Sequence, residues 1–153
     1  MEIEKKLNEM GYKLPEPPAR GGVYMPVKEF GNGMAFVSGC LPIIDGVNIT
    51  GRLGGDCSVS DGQKAAEQCT LNILAVMKQH FGDLDRIKKC VKMTVFISCV
   101  PEFYQHAQVA NAATELLVKI MGEEKGCPAR AAIGAQSLPL NAAVEIELLL
   151  EVS

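Results

Sequence analysis

Residues 143–152, Ala-Val-Glu-Ile-Glu-Leu-Leu-Leu-Glu-Val, constrain this chain more than any other stretch. The run is apolar on both faces of a strand, so something must cover each face. Only two long amphipathic helices are available elsewhere. "SDGQKAAEQCTLNILAVMKQHFG" carries Ala66, Cys69, Ile73, Leu74 and Met77 on one stripe. Ser60 and Gln63 have capping-box spacing at its start, and Gly82 stops it. "PEFYQHAQVANAATELLVKIMG" is the second helix, with Pro101 at its first position and Gly122 at its end.

The remaining elements follow the same periodicities. Residues 2–10 place Ile3, Leu7 and Met10 on one face of a short helix. "LPEPPARGG" breaks regular structure. Residues 23–30 and 34–43 flank the turn Gly31-Asn32-Gly33 as a hairpin. Residues 42–59 contain four glycines and read as a long loop. "IKKCVKMTVFISC" is a central strand, and two more strands cover 128–136 and 143–152.

The order is ββαβαββ behind a short extra N-terminal helix. It predicts an α+β two-layer domain over residues 1–153, with two helices on one sheet face. The opposite sheet face has no helix left to cover it. An uncovered apolar face predicts association with further copies of the chain.

Composition removes several functions. The 153 residues carry a net charge of -3, which gives no general attraction to nucleic acid or to an anionic membrane. No run approaches the roughly 18 apolar residues of a membrane span. The charged N-terminus "MEIEKKLNEMGYKLP" lacks an apolar signal core, so a cytoplasmic location is expected. Six cysteines without a Cys-x-x-Cys pair read as reduced thiols, mostly in or beside apolar elements. Two histidines, His80 and His106, offer no zinc-type spacing, so no metal is expected.

Two charges stand out in apolar strands. Arg130 must be paired, either with Glu145 or Glu147 or with an anionic ligand that its guanidinium fork would grip. Glu145 and Glu147 share a strand face. They fit a solvated edge, or a carboxylate beside a cleft that orients or deprotonates water. Ser38, Gly39 and Cys40 end a strand with small side chains. Cys40 is a possible thiol nucleophile without a neighbour in sequence to activate it.

Together these pieces resemble the RidA/YjgF family of enamine/imine deaminases. The resemblance rests on Tyr24, "SGC" at 38–40, "LN" at 71–72, "KMTVFI" at 92–97, "VANAATELL" at 109–117, "PARAAI" at 128–133 and "LPLNAAVEIE" at 138–147. It implies a chorismate-mutase-like fold in a homotrimer with clefts between subunits. It also implies substrates, the 2-imino acids and their enamines, which water converts to 2-keto acids and ammonia. By resemblance Arg130 grips the substrate carboxylate and Glu145 positions the water. Tyr24, Ser38, Gly39 and Asn111 line the cleft, and Asn72 is structural. No cofactor is implied, because an imine is already electrophilic. Cys40 stands where the deaminase branch usually has glutamine, and Ala132 where it commonly has cysteine. Those departures favour an alternative, a non-catalytic binder of small carboxylates. The endoribonuclease or translation-inhibitor activity ascribed to some relatives is a further alternative, which the acidic charge disfavours.

Overall fold

In a computed structural model, residues 2–153 are described. Strands β1 (Val27–Phe30), β2 (Met34–Cys40), β5 (Ile87–Ser98), β6 (Ala129–Ala135) and β7 (Val144–Val152) form a five-stranded sheet in the order β1-β2-β7-β5-β6. β5 and β6 are parallel, and the other pairs are antiparallel. Helices α2 (Val59–Phe81) and α3 (His106–Met121) lie together on one face. Against them β7 buries Val144, Ile146, Leu148, Leu150 and Val152, the alternate positions that a pleated strand sends to one side. This is the expected α+β two-layer arrangement. The short helix α1 (Glu2–Glu9) precedes it and buries Ile3 and Leu7. A one-turn helix α4 (Glu123–Gly126) links α3 to β6.

The other face of the sheet carries Met34, Phe36, Phe96, Ile133 and Leu149, with Phe36 opposite Leu149 and Phe96 opposite Ile133. Phe30, Phe36 and Ile133 are 46%, 44% and 45% exposed, so helix cover is absent there, as expected from the helix count.

Four local expectations need correction. The α2 cap is Ser58 with Asp61, two residues before Ser60 and Gln63: Ser58 Oγ accepts from the Asp61 amide and the Asp61 carboxylate accepts from the Ser58 amide. The helix thus gains its first turn from a second box of the same spacing. Pro101 does not open α3. The Val100 amide is held by Leu53 O and the Phe103 amide by Val100 O, which closes a turn, and the helix starts at His106. The 42–59 loop contains a small hairpin, β3 (Ile43–Ile44) and β4 (Val47–Asn48). Its turn residues Asp45 and Gly46 both have positive φ, 51° and 76°, the conformation that Asp-Gly favours in two-residue hairpins. β7 is the middle strand of the sheet, so a solvated edge does not explain Glu145 and Glu147.

Candidate functional site

The alternation of β7 sends Glu145 and Glu147 to the sheet face away from the helices. Glu145 pairs across the ladder with Phe96. Its carboxylate lies over Gly39, where an added Cβ would stand 3.0 Å from Glu145 Cδ and closer still to Oε1. The β2–β7 register shifts between Val37 and Cys40, which brings this glycine under the carboxylate. Burial raises the Glu145 pKa above its ordinary value, and the nearby charge of Glu147 raises it further.

Glu145 faces a cavity of about 520 Å³. Tyr24, Ser38, Gly39, Cys40, Leu140 and Arg20 share its walls. Ser38 Oγ donates to Met25 O at 2.6 Å, which ties β2 to the Tyr24 segment. Asn72 is fully buried on α2 and donates to Leu41 O and Ile43 O at 2.8 and 2.9 Å. It thereby fixes the chain beside the cavity. Cys40 is no nucleophile in this setting. Burial pushes its thiol up to about 12, with the Glu145 charge adding to the effect.

Arg130 lies elsewhere. It sits on the edge strand β6, and its Nη1 donates to Asn111 Oδ1 at 2.8 Å and to Thr114 Oγ1 at 3.3 Å, both on α3. These bonds hold the guanidinium against the helix and leave its other N–H groups without a carboxylate among the described residues. The ion pair with Glu145 or Glu147 is absent. Register explains why. Glu145 is opposite Phe96, which is opposite Ile133, and Arg130 is three residues from Ile133. Three residues reverse the face and add about 10 Å along the strand, while two strand spacings add about 10 Å across it.

The six residues expected to form one site therefore fall into two groups. Tyr24, Ser38, Gly39 and Glu145 share the cavity on the open side. Asn111 and Arg130 form a hydrogen-bonded pair on the helix side. The sequence reading passed over Arg20, which lines the cavity and donates from Nη1 to Tyr24 O at 2.8 Å. It lies in the Pro- and Gly-rich break, where no periodicity draws notice. Among the described residues no three His, Cys, Asp or Glu side chains cluster as metal ligands, and no helix is long and apolar enough to cross a membrane.

Residues 4–152 match the family described as "YjgF/chorismate_mutase-like, putative endoribonuclease". Protein TCP17 of Trypanosoma cruzi is 40% identical over 153 residues, covering 99% of this chain and 94% of that one. A RutC family protein of Aquifex aeolicus is 30% identical over 138 residues, covering 89% and 94%. The crystal structure of Atu1372 from Agrobacterium tumefaciens, a protein described there as of unknown function, superposes with a TM-score of 0.91. It is 40% identical and covers 99% of this chain and 93% of its own. The chain belongs to the YjgF/RidA family.

Proposed function

We propose that this protein hydrolyses reactive 2-imino acids and their enamines to 2-keto acids and ammonia, in the cytoplasm and as a single domain. A complete site forms where the Glu145 half of one copy meets the Arg130 half of another in a homotrimer. The observation that carries this is the separation of the two halves. Each is organised by its own hydrogen bonds and packing, and neither has the other's charge within its own chain. The uncovered sheet face, with Phe30, Phe36 and Ile133 exposed, supplies an apolar surface for assembly.

In this scheme the Arg130 fork takes the substrate carboxylate, steadied by Asn111 and Thr114. Glu145, raised in pKa by burial, accepts a proton as water adds to the imine carbon. That proton returns to nitrogen to give the tetrahedral carbinolamine, and transfer of the new hydroxyl's proton to the amino group then expels ammonia and leaves the keto acid. Gly39 keeps the approach to Glu145 open. No external electron donor or acceptor enters the balance.

A coupled assay tests the reaction. An amino-acid oxidase or a dehydratase generates the 2-imino acid, and keto-acid release is timed with and without the protein. Acceleration that disappears in Arg130→Ala and Glu145→Gln supports the assignment. Equal rates with and without wild-type protein across several imino acids contradict it. They would favour the second reading, a carboxylate-binding protein without turnover, which Ala132 and the buried, protonated Cys40 favour. Salt-dependent RNA binding would instead support the nuclease alternative.

A further inference from the structure

A thiol and an imidazole meet at the far end of the edge strand, outside both groups of candidate site residues. Cys99 directly follows β5, and His106 is the first residue of α3. Cys99 Sγ lies 3.6 Å from His106 Nε2, a hydrogen-bonding separation for sulfur. Gly134 on β6 provides the room. An added Cβ there would stand 2.9 Å from Sγ and 3.2 Å from Nε2. The buried Phe103 ring meets the imidazole edge-on, with centroids 5.4 Å apart. Arg52 Nη2 donates to Cys99 O at 2.6 Å. Both partners are thus held in place, and both are partly exposed.

The other cysteines differ. Cys40, Cys57, Cys69 and Cys90 are buried. Cys127 is exposed, but its sulfur makes no hydrogen bond among the described residues. A thiol attacks carbon as its thiolate, and a neighbouring imidazole promotes this by accepting the proton.

We propose that Cys99 and His106 form a nucleophilic pair, which makes Cys99 a modification site for soft carbon electrophiles of the α,β-unsaturated carbonyl class. The thiol proton passes to His106 Nε2 and Sγ bonds to the electrophile's β-carbon. The carbon–carbon π pair moves to the α-carbon, which takes a proton back from the imidazolium. Nothing is oxidised and no group leaves. Arg130 and Gly134 lie four residues apart on β6, about 13 Å along the strand, so alkylation is read separately from deamination.

The test treats the folded full-length chain with limiting N-ethylmaleimide at pH 7 and follows each cysteine by peptide mass spectrometry. Cys99 is expected to label about tenfold faster than the more exposed Cys127, because His106 Nε2 stands 3.6 Å from its sulfur to take the proton as the bond to carbon forms. His106→Gln should bring Cys99 to the Cys127 rate or below. Gly134→Ala, which pushes the sulfur off the imidazole without removing either group, should also slow it. Labelling of Cys69 and Cys90 reports unfolding, so a variant that has lost its fold is recognised and the other decides. Cys127 labelling first, or an unchanged Cys99 rate in a folded variant, would overturn the proposal.

Discussion

The Glu145 carboxylate occupies the space that a side chain on Gly39 would need. Two strands are therefore matched at one point, a missing side chain on β2 and a half-buried acid on β7. Gly39→Ala must displace the carboxylate from its present position. A misplacement of about 1 Å in a reacting group costs roughly a hundredfold in rate. We expect a loss of that order in keto-acid formation, with an unchanged circular dichroism spectrum. Full activity in the alanine variant would remove Glu145 from its assigned place.

The raised pKa of Glu145 gives a pH signature with a definite sign. A carboxyl whose folded pKa lies above its unfolded value binds more protons in the native state, so stability falls as pH rises through that window. The cost is fully present above the folded pKa and absent well below the ordinary value of 4.5. Glu145→Gln should therefore raise the melting temperature at pH 7 and leave it nearly unchanged near pH 3. In the same variant deamination should fall about 10²–10⁴-fold, the usual worth of a general base. A lower melting temperature at pH 7 would contradict the assigned shift.

Arg130 should matter for ligand far more than for folding. It lies on an edge strand, is partly exposed, and forms no ion pair with a carboxylate among the described residues. Arg130→Ala is expected to cost under about 1 kcal/mol in urea denaturation. Losing charge-assisted hydrogen bonds worth about 1.5–3 kcal/mol should weaken 2-keto acid binding roughly 10- to 150-fold by calorimetry. Arg130→Lys should recover only part of this, because ammonium lacks the planar fork.

Asn72 offers a purely structural control. It is fully buried and satisfies two carbonyls, Leu41 O and Ile43 O. Asn72→Ala leaves both unpaired, and one such buried group costs about 1–3 kcal/mol. We expect a loss of about 2–4 kcal/mol in chemical denaturation, larger than for any other substitution named here.

Much of the architecture was legible because it rests on local signals. The stripe Ala66–Met77 and the stops at Gly82 and Gly122 place α2 and α3. The run at 143–152, set against only two helices, gives the half-covered sheet. Two serines with equivalent caps, Ser58 and Ser60, cannot be ranked by spacing alone. A proline such as Pro101 suits a turn as well as a first helical position. The Asp45-Gly46 signal for the small hairpin was present and passed over inside a glycine-rich stretch. The site was less legible than its residues. Arg130 and Glu145 carry recognisable motifs, but the face each one points to depends on the β5–β6 and β5–β7 registers, and a one-residue slip reverses a face. Only the assembled sheet separates them. Cys99 and His106 are seven residues apart across a turn, and no periodicity links them.

Subunit mixing tests the central claim most directly. Arg130→Ala and Glu145→Ala proteins, each inactive alone, are unfolded together in equal amounts and refolded. If every site takes its arginine from one copy and its glutamate from the next, about one quarter of the sites in a random mixture are intact. The account predicts recovery of about a quarter of wild-type deamination. No recovery, from mixed oligomers that have formed, would place both residues' contributions within one chain and contradict it.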